Sequence, residues 1–357
     1  MIEYDEFGPE KIIKVYDPKT GMKGITVIHN TARGPGKGGI RMTSTVNEEE
    51  VFRLARAMTW KCALADLPFG GGKSGIIVDT RKISREEKKA IVEAFAKAIK
   101  AVCPSQYVSA PDISMAEEEM KWFAEANGDV KSCTGKPADM GGLPHELGST
   151  GIGVGHATMV AINYLDLESS QLTFAVEGFG NVGWFVSKYL TEKGLKLIAV
   201  SDSKGTLINK EGIDFEKLAE IKKNKRTVTE YEGEVKGHKA IFQTDADILI
   251  TAAIPDLISD DEIDLVKAKL IVCGSNIPFS LEAEKKFHSN GVLVIPDFVA
   301  NAGGVISSYV EYIGGSVEDM WKMVEEKITT NTKLMLEKGG MPRDAAMEIA
   351  KERIRNA

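Results

Sequence analysis

Three lysines stand among residues that can neither solvate nor neutralise a charge. Lys37 lies in GPGKGGIR, Lys61 in MTWKCALADLP and Lys73 in PFGGGKSG, where the neighbours are Gly, Trp, Cys and Ala. Taken singly, a lysine is usually a solvated surface charge. Lysines that share a dry cleft instead lower one another's pKa and favour an anion as their partner. The surroundings predict a carboxylate-binding site, with three separate surface charges as the alternative.

Asp112, in SAPDISM, is a candidate for proton transfer. It lies two residues before Ser114, which fits a capping box with Glu117 at the start of a helix. An acidic residue at this place can also serve only to interact with the helix dipole. Because Ser114 and Glu117 would already satisfy the cap, we expect Asp112 to face a cleft and exchange protons with a bound substrate.

The segment 178–183 reads GFGNVG and fits the GxGxxG pattern of dinucleotide-binding proteins. A predicted strand ends just before it, a predicted helix begins just after it, and Asp202 closes the next strand 24 positions after Gly178. The glycines let backbone N–H groups approach a pyrophosphate, and the acidic side chain accepts from a ribose hydroxyl. We predict a bound dinucleotide rather than a plain glycine-rich turn. Asp202 favours NAD, whereas Ser203 and Lys204 could hold the 2′-phosphate of NADP, so both cofactors stay open.

Polar residues also follow two later predicted strands. Asn301 begins NAGG after the strand VLVIPDF, and Asn276 in CGSNIPF occupies the same end of the preceding strand. Ligands bind at the carboxyl ends of parallel strands, so we expect a role for both, with an Asn-Gly turn as the alternative at Asn301. Ser308 lies seven positions after Asn301, about two helical turns, and could point the same way.

The elements that position these residues predict two α/β domains. Residues 11–30 form two β-rich runs around Asp-Pro-Lys-Thr-Gly, which predicts an antiparallel hairpin. Capping boxes at 47–50 and 84–87 predict helices, with GIIVD as a short buried strand between them. The glycine-rich stretch 134–155 marks a domain junction. Beyond it, apolar strands alternate with helices, which predicts a doubly wound parallel sheet.

We therefore assign residues 1–147 to a mixed α/β substrate domain, which carries the predicted carboxylate site, and residues 148–319 to a Rossmann-type dinucleotide-binding domain. The last residues, about 320–357, are predicted to be helical and to return to the first domain. A helix start is expected at Ser316 and Asp319, and Gly339-Gly340 should end that helix.

Composition excludes several classes of protein. The chain has 357 residues, of which 43% are hydrophobic, so disorder is excluded. A net charge of −7 argues against nucleic acid or a membrane surface as partner. No apolar run approaches the roughly 20 residues of a membrane helix, and the N-terminal residues do not resemble a signal peptide, so we expect a cytoplasmic protein. The four cysteines show no paired spacing, which predicts reduced core thiols and no metal site.

Seven motifs occur in one order along the chain: GPxKGGxR, MTWKxAxxxxPxGGGK, APD, TGKP, GFGNVG, VSDSKG and NAGGV. In them the chain resembles the family of amino-acid dehydrogenases that act on glutamate, leucine, phenylalanine and valine, and most of all its glutamate-type members. The resemblance implies that Lys61 holds the substrate α-carboxylate and that Lys73 acts on the reacting centre. It also implies that Asp112 transfers protons and that Asn301 helps to orient substrate or nicotinamide.

The same resemblance bears on substrate choice. Lys37 and Ser308 match the two positions that hold the side-chain carboxylate in glutamate-type members, whereas leucine-type members carry apolar residues at both. The chain departs from the family pattern at GGGKSG, at GSNIPF and at HELGSTGIGV, where only Thr150 and Gly151 transfer. The candidate cofactor-binding residues are Thr150, Gly178, Gly180, Asn181, Val182, Gly183, Asp202, Ser203, Asn276 and Asn301.

The implied activity is the NAD(P)-dependent oxidative deamination of L-glutamate to 2-oxoglutarate and ammonia, and the reverse reductive amination. Lys73, with a lowered pKa, would activate water while Asp112 shuttles protons. The resemblance also implies a homo-oligomer, with a hexamer favoured and residues 1–147 as the oligomerisation domain. The alternatives are a dehydrogenase of another L-amino acid, of leucine or valine type, and a non-catalytic dinucleotide-binding regulatory subunit.

Overall fold

The computed structural model describes residues 2–254, 257–259 and 262–357, and the chain divides into two compact units. Unit 1 comprises Met1–Leu147, Val305–Met320 and Glu348–Ala357, and unit 2 comprises Gly148–Gly304 and Trp321–Met347. Each unit contains its own β-sheet. The predicted α/β architecture is confirmed.

Unit 1 contains a five-stranded mixed sheet in the order β1-β2-β4-β3-β5. Its strands are β1 (Lys11–Asp17), β2 (Met22–Asn30), β3 (Gly36–Thr43), β4 (Gly70–Ile77) and β5 (Tyr107–Ala110). β1 and β2 form the predicted antiparallel hairpin. β4 pairs antiparallel with β2 and parallel with β3, and β3 also pairs parallel with β5. This order puts β3 between the strands that lead to Lys73 and Asp112.

Three helices pack on this sheet: α1 (Glu48–Leu64), α2 (Arg85–Ala98) and α3 (Glu117–Asn127). The predicted N-caps of the first two are confirmed, since Asn47 Oδ1 accepts from Glu50 N at 3.0 Å and Ser84 Oγ accepts from Glu87 N at 3.1 Å. At Ser84 the capping box is complete, because Ser84 N also donates to Glu87 Oε2 at 2.7 Å. α1 contacts β2 and β4. The main apolar core of the unit gathers side chains of α2, α3 and the sheet, including Phe95, Tyr107 and Phe123.

The predicted cap at Ser114 is wrong. Ser114 has φ +61°, and α3 begins at Glu117 with Ala116 as its N-cap. The Glu119 carboxylate accepts from Ala116 N at 2.7 Å instead. Met115 N donates to the Asp112 carbonyl at 2.9 Å and closes a turn that contains Ser114. The helix therefore begins only after this turn.

β4 begins at Gly70, five residues before the predicted strand GIIVD, so Lys73 lies within a strand. The glycines are required because neighbouring backbone approaches closely. A Cβ on Gly70 would lie 1.8 Å from the Asn30 carbonyl oxygen, and one on Gly71 would lie 2.0 Å from Thr59 Oγ1 of α1. Consecutive glycines favour a loop in sequence reasoning, but here they allow tight strand and helix packing.

Unit 2 contains a seven-stranded sheet in the order β12-β11-β10-β6-β7-β8-β9. Its strands are β6 (Thr173–Glu177), β7 (Lys196–Asp202), β8 (Gly205–Ile208), β9 (Glu234–Lys236), β10 (Ile248–Thr251), β11 (Leu270–Cys273) and β12 (Leu293–Ile295). β6, β7, β10, β11 and β12 run parallel, as predicted. β8 and β9 add an antiparallel edge that sequence reasoning missed, because both are short and β9 is exposed.

Helices cover the sheet of unit 2, and others form the C-terminal segment. They are α4 (Ser149–Tyr164), α5 (Asn181–Glu192), α6 (Phe215–Lys225), α7 (Leu281–Ser289) and α8 (Asp297–Ala300), followed by α9 (Gly303–Ile313), α10 (Val317–Lys338) and α11 (Pro342–Arg355). The boundaries between the two units fall within each of the last three helices. The C-terminal segment is thus shared between units, whereas the sequence assignment gave 320–357 to the first domain as one block. Within the described residues, no helix is both long and apolar enough to cross a membrane.

Candidate active site

Lys73 and Asp112 form an ion pair in unit 1. Lys73 lies in β4, Asp112 follows β5, and β3 runs between those strands. Gly39 of β3 is what lets the two side chains meet, since a Cβ there would lie 2.9 Å from Asp112 Cβ and 3.2 Å from Lys73 Nζ. The two residues predicted to be catalytic are therefore in direct contact.

The surroundings of this pair shift both pKa values. Burial raises the pKa of Asp112, but the charges of Lys73 and Arg41 outweigh that effect and hold it below its usual value. Arg41 Nη2 lies 3.4 Å from Asp112 Oδ1, and Ile113 N donates to the same oxygen at 2.7 Å. Burial lowers the pKa of Lys73, and Asp112 opposes part of that shift. A carboxylate thus faces an ammonium group that loses its proton more easily than an ordinary lysine, which suits acid–base chemistry.

Lys37 lies in the interior, with only 1% of its surface exposed. Its Nζ donates to the Ser109 carbonyl at 2.7 Å and to Thr134 Oγ1 at 2.8 Å. Burial lowers the pKa of Lys37 to about 8, although Glu311 opposes the shift. In the described part of the chain, no hydrogen bond or ion pair links Lys37 to Lys73 or Asp112. The predicted convergence of the three lysines on one anion stays a prediction.

The two remaining candidates for substrate binding in unit 1 are both partly buried. Lys61 lies in the last turn of α1, and Ser308 lies within α9. Partial burial leaves each side chain accessible to a small molecule.

The glycine motif in unit 2 forms a turn between β6 and α5. Gly178 has φ +89°, and a Cβ on Gly183 would lie 1.8 Å from the Gly178 carbonyl oxygen. A Cβ on Gly180, by contrast, would meet no atom within 4 Å. Space therefore lies open above Gly180 at the N-terminus of α5, where backbone N–H groups favour an anion. This turn fits the pyrophosphate of a dinucleotide, with Asn181 and Val182 in the first turn of the helix.

Asp202 ends β7, as predicted, but protein groups already surround its carboxylate, whose side chain is 5% exposed. It accepts hydrogen bonds from Lys222 Nζ (2.6 Å), Val228 N (2.8 Å), Lys204 N (2.9 Å) and Thr227 Oγ1 (3.3 Å). Burial raises the pKa of Asp202, but these bonds outweigh the effect and keep it below its usual value. Ser203 and Lys204 beside it are exposed.

Asn301 and Asn276 come together at the carboxyl ends of neighbouring strands. Asn301 Nδ2 donates to Asn276 Oδ1 at 2.9 Å and to the Gly274 carbonyl at 3.3 Å. Asn301 Oδ1 is buried and has no hydrogen-bond partner within the described residues. A buried amide oxygen without a donor is costly, so this atom is suited to accept from a ligand N–H group. Thr150, another predicted cofactor residue, lies close to Gly304 in the same unit: a Cβ on Gly304 would lie 3.1 Å from Thr150 Oγ1.

Family models match both parts of the chain. Residues 141–355 match the model described as Glutamate/Leucine/Phenylalanine/Valine dehydrogenase, and residues 9–128 match the Glu/Leu/Phe/Val dehydrogenase dimerisation domain. The chain belongs to the Glu/Leu/Phe/Val dehydrogenase family. This result confirms the resemblance found in the motifs.

Relatives of this dehydrogenase carry names that agree with the family. The glutamate dehydrogenase of Aeropyrum pernix is 40% identical over 348 residues, which cover 91% of this chain and 83% of the relative. The NADP-specific glutamate dehydrogenase of Saccharolobus shibatae is 38% identical over 344 residues, covering 90% and 81%. Among solved structures, the leucine-bound hetero-hexameric glutamate dehydrogenase of Thermus thermophilus superposes with a TM-score of 0.85 at 25% identity, covering 98% and 89%.

Sequence reasoning missed a second buried ion pair in this dehydrogenase, between Lys136 and Glu311. Lys136 Nζ lies 2.6 Å from Glu311 Oε1, and the two side chains are 6% and 2% exposed. Glu311 also accepts from Gly135 N at 2.9 Å and from Leu143 N at 3.1 Å. A lone acidic residue in the apolar helix GGVISSYVEYI and the lysine of TGKP were the available signals. Arg41, which contacts Asp112, was missed as well.

Proposed function

We propose that this chain is an NAD(P)-dependent glutamate dehydrogenase, which oxidatively deaminates L-glutamate to 2-oxoglutarate and ammonia and catalyses the reverse reaction. The main support for this proposal is the balance of charges around Lys37. Its ammonium group is buried with Lys136 and Glu311 nearby, and Glu311 is already paired with Lys136. Lys37 has no ion-pair partner within the described residues, so an anionic substrate group would complete the site.

The side-chain carboxylate of glutamate supplies that anion. Lys37 uses two of its three N–H donors on Ser109 and Thr134, and the third remains for a ligand. Ser308 would add a hydroxyl donor to the same carboxylate. An aliphatic side chain would leave the buried ammonium group without a partner, so leucine or valine should bind much more weakly. The names of the relatives support the same choice of substrate.

The reaction assigns a task to each remaining residue of unit 1. Lys61 would hold the α-carboxylate of the substrate. Asp112, an ionised base, would accept a proton from the amino group so that hydride can leave Cα. Lys73 in its neutral form would take a proton from the water that attacks the resulting imine. Asp112 would then return its proton to the amine nitrogen, the C–N bond would break, and the released ammonia would take up the hydroxyl proton as the ketone forms. Asp112 and Lys73 thus act as a proton-transfer pair.

NAD or NADP supplies the hydride acceptor when bound. The turn at 178–183 would hold its pyrophosphate, and Asn301 Oδ1 would accept from the nicotinamide carboxamide or the substrate amino group. Asn276 would keep Asn301 oriented through the bond between their side chains. Thr150, Asp202 and Ser203 complete the proposed cofactor site.

We also propose a homo-oligomer, with a hexamer favoured. The match of residues 9–128 to a dimerisation domain supports an oligomer, and the solved relative from Thermus thermophilus, which is described as hetero-hexameric, supports the number of six subunits. The four cysteines are free and buried, which supports the proposed cytoplasmic location.

A panel of amino acids against both cofactors tests the proposed function. Purified protein should reduce NAD or NADP with L-glutamate and give little or no rate with L-leucine or L-valine. The variant Lys37→Leu should lose glutamate activity while still binding the cofactor. Clear activity with leucine or valine but none with glutamate would defeat the proposal.

A further inference from the structure

We infer that Lys136 is a specificity-determining positioning residue: it neutralises Glu311 so that the charge of Lys37 stays available to the side-chain carboxylate of the substrate. The inference rests on the proposed function, because it takes Lys37 as the group that binds this carboxylate. Lys136 itself touches no substrate in this account and acts through Glu311.

The first step of the argument is the position of Glu311. Its carboxylate accepts from Gly135 N and Leu143 N as well as from Lys136 Nζ. Glu311 lies three residues after Ser308 in α9, so both side chains project from neighbouring positions of one helix. The carboxylate is therefore fixed by backbone donors next to the helix turn that carries a proposed substrate ligand.

The second step is the position of Lys37. Its Nζ is held by Thr134, the residue before Gly135 in the same loop that donates to Glu311. Burial makes charge interactions here strong, and Glu311 and Lys136 act on Lys37 with opposite signs. Without Lys136, the nearby charge of Glu311 would compensate Lys37 and take the place of the substrate carboxylate in the electrostatic balance.

The third step excludes a purely structural role as sufficient. Lys136 Nζ also donates to the Cys133 carbonyl at 2.7 Å, so it contributes to the fold of the loop. Yet Glu311 also accepts from Gly135 N and Leu143 N, backbone donors that do not belong to Lys136. The charge of Lys136 is what the remaining contacts cannot supply.

Three variants test the inference in the holoenzyme: Lys136→Met, the double variant Lys136→Met with Glu311→Gln, and Lys88→Met as the control. Lys88 pairs with Glu119, another buried carboxylate in unit 1. For each, KM is measured with 2-oxoglutarate and with 2-oxopentanoate, which has a methyl group in place of the distal carboxylate. Thermal midpoints are measured on the same preparations.

Lys136→Met should raise KM for 2-oxoglutarate at least about tenfold and change KM for 2-oxopentanoate less than about threefold, since only the first substrate needs the free charge. The double variant removes both charges of the pair and should bring KM for 2-oxoglutarate back to within about threefold of wild type. Lys88→Met should lower the thermal midpoint without changing the ratio of the two KM values.

An unchanged KM ratio in Lys136→Met, or a double variant that is as impaired as the single one, would overturn the inference. If Lys136→Met is too unstable to assay, the double variant decides alone, and a rise in its KM for 2-oxoglutarate above about tenfold counts against us. Failure of the wild-type protein to turn over 2-oxoglutarate with ammonia is a separate result, which defeats the proposed function.

Discussion

The side chains of Lys73 and Asp112 meet across β3, directly beside Gly39 of that strand. Lys73 comes from β4 and Asp112 from the segment after β5, so β3 separates the strands that supply them. The missing side chain at Gly39 provides the space for contact. A residue with no chemistry of its own therefore controls the geometry of the proposed proton-transfer pair.

Gly39→Ala should lower kcat by about 100-fold, because a displacement of about 1 Å in a reacting group has an effect of this size. The new Cβ would lie 2.6 Å from the Pro111 carbonyl oxygen and 2.9 Å from Asp112 Cβ, so the Asp112 segment must move. The measurement is steady-state kinetics together with cofactor binding, which should stay within about twofold since Gly39 lies in unit 1. Gly237→Ala is the matched control: Gly237 has φ −63°, its Cβ would meet no atom within 4 Å, and kcat should not change.

The KM for 2-oxoglutarate should rise as pH increases through about 8. Burial lowers the pKa of Lys37 to this value, and only its protonated form attracts the distal carboxylate. The groups that face Lys37 are Glu311 and Lys136, which form their ion pair, and Cys62 and Cys133. Burial raises the pKa of both cysteines to about 12, so they stay neutral in this range. A Lys37→Met variant should bind weakly at every pH, and a wild-type KM that is flat from pH 7 to 9 would contradict the assignment.

Lys222→Ala should shift cofactor preference away from NADP. Lys222 is the cation that neutralises Asp202, and without this counter-ion the negative charge of Asp202 would repel a 2′-phosphate. We expect kcat/KM with NADP to fall about tenfold, which corresponds to about 1.4 kcal/mol, while kcat/KM with NAD changes less than about threefold. Lys223→Ala, on the same helix and exposed, should leave the NADP to NAD ratio unchanged. An equal loss with both cofactors would argue against a 2′-phosphate near Asp202.

Arg343→Met should destabilise unit 2 by about 3–5 kcal/mol, because it removes the cation that two buried carboxylates share. Arg343 pairs with Glu284 and, at 2.8 Å, with Asp297, whose other oxygen accepts from Ile277 N at 3.0 Å. Urea denaturation followed by circular dichroism measures the loss. Removing an exposed partner, as in Lys188→Met, should cost no more than about 0.5 kcal/mol. Comparable midpoints for the two variants would contradict the importance of the buried cluster.

Local patterns predicted most elements of the fold. The hairpin of β1 and β2, the caps at Asn47 and Ser84 and the parallel strands of unit 2 each follow from signals within a few residues. The same local logic failed at Ser114, where a turn closed by Asp112 precedes the helix. It failed again at β4, where the need for close backbone approach outweighs the usual preference of glycine for loops.

The site was predictable in its residue types but not in its pairings. Lys73 and Asp112 were singled out from the sequence, yet their contact depends on strand order. Lys136 and Glu311 lie 175 positions apart, and Asp202 is held by a lysine from the end of α6. Such pairs form only through tertiary structure, so they cannot be predicted from the spacing of residues along the sequence.

The ratio of kcat/KM for L-glutamate to that for L-norvaline tests the central claim most directly. Norvaline has a methyl group where glutamate has its distal carboxylate, so the ratio isolates the interaction of that carboxylate with Lys37. We expect glutamate to be favoured by at least about 100-fold, and Lys37→Met to abolish most of that preference. Equal rates with the two amino acids, or a preference for norvaline in the wild-type protein, would contradict the account.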